Sequence, residues 1–230
     1  MNYDEIQPNS ELRAYARQQL KGVWGKMAFT FFIYFLLYLP YYFFSSLDSI
    51  DKQFPDTVPT FPLINLVLAI AVLITAGPFA LGFAGYFLKR IRGEAIAVKN
   101  IFDGFERFLP GFLVMFFIAL FTFLWSLLLI IPGIIKALGY SMAFYIMYDN
   151  PGIKPLEALK KSQIMMKGYK RKLFLLGLSF IGWVFLGFLT LGIGFFWLYP
   201  YMSLSISNFY ENLKRNQEKQ RTDPFATTNA

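Results

Sequence analysis

Four long apolar blocks alternate with short polar segments along the chain. The blocks cover residues 27–47, 62–88, 109–148 and 173–210. Because about 20 mainly apolar residues suffice to cross a bilayer as a helix, the first two blocks predict one crossing each and the last two predict a pair each. Backbone groups cannot stay unpaired in hydrocarbon, and no alternating strand pattern occurs within the blocks. The pattern therefore predicts an all-α bundle of six transmembrane helices.

Proline and glycine indicate where the two longest blocks divide. Pro132 and Gly133 interrupt the third block and predict a tight turn on the outer side. The run Thr190–Gly194 divides the fourth block into two short helices. If that run were helical instead, the block would form one long tilted span and the C-terminus would lie outside.

Gly77 and Pro78 stand near the middle of the second predicted helix. Proline removes one backbone donor and so bends a helix. Small residues recur beside this bend, at Ala76, Ala80 and Ala84, and such residues let a second helix approach closely. We interpret this region as a packing seam, with a substrate path at a broken helix as the alternative.

A short basic segment precedes each predicted helix pair, at residues 10–26, 98–109 and 154–172. In the first segment, Leu12, Ala16 and Leu20 recur at helical spacing beside a basic stripe. We predict three interfacial amphipathic helices, which either only connect spans or form a regulated lipid-binding surface. The cations of the predicted inner-leaflet surface are Arg13, Arg17, Lys21, Lys160, Lys161, Lys167, Lys170, Arg171 and Lys172.

The distribution of positive charge predicts the topology. Of the 22 lysines and arginines, all except Lys52 and Lys136 fall in four polar segments. Short cytoplasmic segments are enriched in Lys and Arg, so these four should share the inner side, with both termini. Residues 1–26 are then a cytoplasmic amphipathic segment, residues 27–212 the membrane domain, and residues 213–230 a cytoplasmic polar tail, expected to fray from Asn216 onwards.

Composition supports a membrane protein. Hydrophobic residues make up 56% of the chain. Soluble proteins contain a smaller apolar share, at most about half of their residues. The net charge of +8 lies beside the spans, so anionic headgroups of the inner leaflet are the expected partners and nucleic acid is not. The N-terminal segment before the first span lacks an apolar core followed by a cleavage site, which argues against a removable signal peptide.

The residue types limit the chemistry. The chain has no Cys and no His, which excludes thiolate metal sites, thiol nucleophiles and imidazole bases. Asp103, Glu106 and Asp149 are expected to cap helices or form turns, because no nucleophile motif accompanies them. The glycines form no nucleotide-binding fingerprint. We therefore expect no enzyme, no cofactor and no metal.

Lys136 is the one ionisable residue well inside an apolar block. It would lie about 4–5 Å past the predicted outer turn, within reach of the interface. It could serve as an interfacial anchor, as a contact for a lipid headgroup or internal partner, or as a transport relay. Tyr140 and Tyr145 on the same stretch are further candidates for contact with lipid or a membrane-protein partner. The absence of an acidic residue within the spans weakens a proton-coupled relay.

Several motifs resemble the DUF975 family. They are Asn9-Ser-Glu-Leu-Arg-Ala14 with Leu20-Lys-Gly22, Gly77-Pro-Phe-Ala-Leu-Gly82, Phe102-Asp-Gly-Phe105, the stretch from Ile130 to Phe144, and Leu191-Gly-Ile-Gly194 with Tyr199-Pro-Tyr201. The family is similar in plan to the membrane domain attached to some glycerophosphodiester phosphodiesterases. The resemblance implies a bacterial integral membrane protein whose function is undefined, and it carries over no catalytic residue.

Three functions follow as hypotheses. The preferred one is a non-enzymatic protein of the cytoplasmic membrane that binds lipid or a membrane partner and supports envelope maintenance. A small transporter or channel subunit is the alternative, motivated by Gly77, Pro78, Lys136 and the broken final block. An enzyme acting within the bilayer is the third.

Overall fold

The computed structural model describes residues 6–54 and 61–222, and every regular element in these two ranges is helical. This confirms the predicted all-α class. Predictions for residues 1–5, 55–60 and 223–230, which include part of the segment between the first two predicted spans and the end of the polar tail, lie outside the described residues.

The described residues form ten α-helices and one 3₁₀ helix. They are α1 (Asn9–Leu20), α2 (Trp24–Gln53), α3 (Pro62–Ile91), the 3₁₀ helix (Val98–Arg107), α4 (Phe108–Leu128), α5 (Ile130–Tyr140), α6 (Ala143–Asp149), α7 (Pro155–Met165), α8 (Lys170–Leu178), α9 (Ile181–Leu189) and α10 (Phe195–Thr222).

Five helical stretches are long and apolar enough to span a membrane. They are α2, α3, the 3₁₀ helix joined to α4, α5 joined to α6, and α8 joined to α9. These stretches indicate a membrane-embedded protein. Six crossings were predicted, but only these five stretches in the described residues qualify. Helix α10, whose second half is polar, is not among them.

Helices α2 and α3 pair in antiparallel fashion along most of their length. Near the α2 N-terminus the hydroxyls of Thr30 and Tyr86 lie 3.1 Å apart, and further along those of Tyr38 and Thr75 lie 3.2 Å apart. Near the C-terminal end of α2 and the start of α3, the Asn65 amide donates a hydrogen bond to Asp48. The two helices, of 30 residues each, therefore lie side by side along most of their length.

Small residues bring α3 against the 3₁₀ helix and the start of α4. A Cβ atom on Gly82 would overlap the Ile101 carbonyl, and one on Gly77 would overlap the Gly111 carbonyl. Pro78 lies in this contact, and α3 remains helical through it. Because backbones meet here without intervening side chains, larger residues at these glycines would force the helices apart.

The turn between α4 and α5 lies at Leu129, whose extended backbone (φ −162°, ψ 147°) separates the helices. The predicted turn at Pro132 and Gly133 was therefore wrong by three residues. Both residues lie in the first turn of α5. The first N–H groups of a helix have no acceptor within it, so a proline at this place costs no helical hydrogen bond. A Cβ on Gly133 would overlap the Ser126 side chain, so this glycine lets α5 pack directly on α4.

The last apolar block breaks within the predicted run, since α9 ends at Leu189 and α10 begins at Phe195. Leu191 and Gly192 adopt positive φ angles of 53° and 89° and reverse the chain. Helix α10 then continues to Thr222, so residues 216–222, predicted to fray, are helical.

The α9–α10 hairpin is short compared with α2. The Phe196 ring, close to the hairpin tip, lies 5.5–5.8 Å from the rings of Phe31, Phe32 and Phe35. These residues belong to the first half of α2, which continues well beyond Phe35 and ends at Gln53. The hairpin tip therefore lies beside the middle of α2.

The amphipathic segments differ in structure. The predicted apolar stripe of α1, Leu12, Ala16 and Leu20, is fully buried, and α1 lies against α10. The second segment forms the 3₁₀ helix instead of an α-helix, and its Gly104 lies in backbone contact with α3. In the third segment, the Ser162 hydroxyl of α7 donates to the Gly139 carbonyl at 2.8 Å, beside the break between α5 and α6.

Candidate functional site

An ionic cluster joins the C-terminal ends of α3 and α6 to the middle of α10. We define it as Arg92, Asp149, Tyr210, Glu211 and Lys214. The Asp149 side chain is only 6% exposed and accepts two parallel contacts from the Arg92 guanidinium, at 2.8 and 2.9 Å. Lys214 Nζ lies 2.6 Å from the same carboxylate, and the Tyr210 hydroxyl donates to it at 2.9 Å. Three helices are thus tied through one buried carboxylate.

Arg92 makes a second ion pair, to Glu211 at 2.6 Å. Burial alone would lower the pKa of Arg92, but the hydrogen bonds to Asp149 and Glu211 raise it above its ordinary value. The cluster therefore holds two cations and two carboxylates and is neutral overall. Asp149 was predicted only to cap a helix or form a turn, because its partners Arg92 and Lys214 lie far away along the chain.

A polar cavity of about 750 Å³ lies beside the ionic cluster, between the 3₁₀ helix and the end of α6. Its charged lining residues are Lys89, Arg92, Lys99, Arg107, Asp103, Glu106 and Asp149. Lys89 pairs with Asp103 at 2.7 Å, and Arg107 donates to the Met147 carbonyl at 2.7 Å. With four cations set against three carboxylates, most of the charge is compensated within the protein, so this cavity selects no ligand charge strongly.

A second cavity, of about 350 Å³, lies between the α9–α10 hairpin and the adjoining ends of α1 and α2. We call it the crevice. Its walls are almost wholly apolar and include Trp24, Trp183 and Trp197, three of the four tryptophans in the chain. A cavity of this size is at the lower end of the range for small-molecule sites, and its chemistry suits hydrocarbon.

Arg17 supplies the one formal charge among the described lining residues of the crevice. Its Nη1 donates to the Tyr201 hydroxyl at 2.9 Å, and its guanidinium carbon lies 6.0 Å from the centre of the Tyr201 ring. These contacts hold the cation at the edge of an apolar space. A planar guanidinium in this position matches the geometry of a phosphate or carboxylate.

Lys136 lies close to an aromatic ring. Its Nζ is 4.4 Å from the centre of the Trp125 ring on α4. A cation over a tryptophan ring is attracted by the electron-rich face, with an energy of about 0.5–1 kcal/mol when exposed. The contact joins α4 and α5 near their turn.

The other two candidates from the same stretch point to different neighbours. Tyr140 is buried and lies near Phe121, with ring centres 6.2 Å apart. Tyr145 stacks on Tyr210 at 5.2 Å and accepts a hydrogen bond from Ser207 at 3.2 Å. Lys136, Tyr140 and Tyr145 are thus not brought together into one site.

The predicted inner-leaflet cations divide into two groups. The exposed ones are Arg17, Lys21, Lys160, Lys161, Lys167 and Arg171. The others make contacts within the bundle: Arg13 donates to the Ser179 carbonyl at 3.3 Å, Lys172 to the Ile6 carbonyl, and Lys170 lies beside Gly139. The first group is accessible to a ligand, whereas the second helps to hold α1 and α8 in place.

Comparison with known proteins identifies a family for nearly the whole chain. The family model described as "Protein of unknown function (DUF975)" matches residues 1–139 and 127–217. No curated protein and no solved structure matches the chain. Within the described residues, no group of three or more Asp and Glu side chains is placed to hold a metal ion.

Proposed function

The chain belongs to the DUF975 family of proteins of unknown function, and we propose that it is a non-enzymatic integral protein of the bacterial plasma membrane that binds anionic lipid at the inner leaflet. This role would serve envelope maintenance, alone or with a membrane-protein partner. Both termini lie on the cytoplasmic side in this proposal, because the basic segments favour that side. The similarity in plan to a phosphodiesterase membrane domain stays a prediction.

The outward face of α7 is the observation that carries the proposal. Leu156 and Ile164 on this face are 50% and 61% exposed, and Lys160 and Lys161 are exposed beside them. The opposite face is buried against the bundle through Ala158, Leu159, Ser162 and Met165. A helix that exposes both apolar and basic side chains is typical of the headgroup boundary, where the apolar groups enter lipid and the cations meet phosphate.

The cations add an electrostatic preference for anionic lipid. Each basic residue near such a surface contributes about 1 kcal/mol. Lys160, Lys161 and Lys167 are exposed, while Lys161 is also 3.2 Å from the exposed Glu157 carboxylate. Exposed pairs of this kind contribute little, so Lys161 remains able to meet a headgroup.

The transporter alternative was motivated by Gly77, Pro78, Lys136 and the broken final block, and the surroundings of Lys136 separate it from the lipid-binding proposal. The Lys136 ammonium makes a cation–π contact with Trp125 beside the α4–α5 turn, and this position suits an interfacial anchor better than a transport relay. The contact therefore favours the lipid-binding proposal.

Lipid retention tests the proposal. The protein would be purified in mild detergent from membranes containing phosphatidylglycerol and phosphatidylethanolamine, and the retained lipids would be quantified by mass spectrometry. We expect phosphatidylglycerol to be enriched over its share in the membrane, and the triple variant Lys160→Gln, Lys161→Gln, Lys167→Gln to lose about fivefold or more of that enrichment.

Lys52→Gln is the matched control, because Lys52 is an exposed lysine at the far end of α2 and should not affect retention. Retention of phosphatidylglycerol only in proportion to its share in the membrane, or an equal effect of the triple and control variants, would contradict the proposal.

A further inference from the structure

We propose that the crevice is a specific site for an anionic phospholipid of the inner leaflet, with one acyl chain between the tryptophans and the headgroup phosphate on Arg17. This inference rests on the proposed function and names the place where one lipid molecule is held. It differs from the α7 surface, which attracts anionic lipids collectively.

The walls of the crevice fit a hydrocarbon chain. Trp24, Trp183, Leu186, Trp197 and Leu198 present apolar side chains to it. Trp183, Leu186 and Trp197 are about half exposed and therefore accessible from the surrounding lipid. A flexible acyl chain can enter such an open-sided cavity and gain dispersion contacts with its walls.

Arg17 has no anionic partner among the described residues that line the crevice. Within the described part of the chain, its contacts are the hydroxyl and the ring of Tyr201, both neutral. No Asp or Glu lines the crevice among the described residues. The remaining guanidinium N–H groups can bind a phosphate in a bidentate manner, which is stronger and more directional than a lysine contact.

The depth of the crevice indicates the inner leaflet. Arg17 and Trp24 lie at its base, close to Lys26, where the basic N-terminal segment enters α2. At the other end, the hairpin tip lies beside Phe35. The rise along α2 from Lys26 to Phe35 is about 14 Å. Half of a hydrocarbon core is about 15 Å thick, so a phosphate at Arg17 would leave its chain within the inner half of the bilayer.

Quenching of tryptophan fluorescence by brominated lipid measures how closely an acyl chain approaches the crevice. A Trp125→Phe variant retains only the three tryptophans of the crevice as reporters. It would be reconstituted with increasing fractions of phospholipid brominated on the acyl chain, bearing either an anionic phosphatidylglycerol or a zwitterionic phosphatidylcholine headgroup. We expect brominated phosphatidylglycerol to reach half-maximal quenching at a lower mole fraction than brominated phosphatidylcholine.

Replacing Arg17 should remove this preference. Arg17→Gln is expected to raise the mole fraction of brominated phosphatidylglycerol needed for half-maximal quenching by about tenfold, since a charge-assisted contact is lost. Arg17→Lys keeps the charge but not the planar geometry and should give an intermediate shift. Arg17→Lys also serves as a second test in case Arg17→Gln alters folding, because it keeps the charge and changes only the geometry of the contact.

A matched reporter lies elsewhere in the bundle. Replacing Trp24, Trp183 and Trp197 by Phe leaves Trp125, which makes a cation–π contact with Lys136 on α5. Trp125 should be quenched equally by both lipids. Equal quenching of the crevice tryptophans by the two lipids, or an unchanged preference in Arg17→Gln, would overturn the site.

The two proposals fail separately. Normal enrichment of phosphatidylglycerol without an effect of Arg17 would leave the proposed function and remove the crevice site. Crevice quenching that depends on Arg17, in a protein whose retention does not respond to the α7 lysines, would keep the site and remove the α7 surface.

Discussion

Asp149→Asn should destabilise the protein more than any ordinary surface charge change. The substitution keeps the shape of the side chain and an acceptor for the Tyr210 hydroxyl, but it removes the negative charge between Arg92 and Lys214. Removing one partner of a buried ion pair costs about 3–5 kcal/mol, because the other charge is left unpaired.

Partial exposure reduces this cost. The side chains of Arg92 and Lys214 are 28% and 34% exposed, so water can solvate both cations after the substitution. Arg92 also keeps its ion pair with Glu211. We therefore expect a loss of about 2–3 kcal/mol in the free energy of unfolding. For a chain of this length, that corresponds to a Tm lower by about 4–12 °C.

The assay is thermal unfolding in mild detergent, followed by tryptophan fluorescence. Glu157→Gln is the control, because it removes an i,i+4 pair whose side chains are both 51% exposed. Loss of this exposed ion pair should lower the Tm by less than about 2 °C. Adding Lys214→Gln to Asp149→Asn should restore part of the loss, since one unpaired cation is then absent. The reasoning is refuted if Asp149→Asn and Glu157→Gln give equal shifts.

Three further substitutions test the packing, the hairpin depth and the Lys136 contact. Gly82→Ala would place a Cβ against the Ile101 carbonyl and should destabilise the protein by about 1–3 kcal/mol in the same unfolding assay. Leu191→Cys, at the tip of the α9–α10 hairpin, should resist a membrane-impermeant maleimide added from outside intact cells, because the tip lies beside the middle of α2. Lys136→Met should lower stability by only about 0.5–1 kcal/mol, the strength of a partly exposed contact with Trp125, and should leave lipid retention unchanged.

Matched controls accompany these substitutions. Gly25→Ala in α2 meets no atom within 4 Å and should be neutral or slightly stabilising. Lys52→Cys, in the last turn of α2, should react with the maleimide where Leu191→Cys does not, since the proposed topology places that end outside. Rapid external labelling of Leu191→Cys would contradict the depth assigned to the hairpin, and loss of lipid retention in Lys136→Met would assign Lys136 a role beyond anchoring.

The helical class could be predicted because span length and apolar character are local properties of the sequence. The break near Thr190 was likewise encoded by small residues in that run, and the buried stripe of α1 by the spacing of Leu12, Ala16 and Leu20. The turn at Leu129 was missed because proline fits the first turn of a helix as readily as it ends one.

The sites depended on contacts between distant parts of the chain. Asp149 binds Arg92 and Lys214, which no local pattern indicates. Arg17 was identified as a basic residue, but its crevice is formed with Tyr201, near the other end of the chain. Hairpin depth was equally hidden, since residues 170–189 are long and apolar enough for a full span, yet α10 begins beside Phe31 and Phe35.

Native mass spectrometry of the protein released from its own membrane tests the central claim most directly, because it identifies the lipid that stays bound. We expect a protein–lipid complex with an anionic phospholipid in the unmodified chain, and a marked loss of that complex in Arg17→Gln. Bare protein, or complexes with zwitterionic lipid that are indifferent to Arg17, would contradict the account.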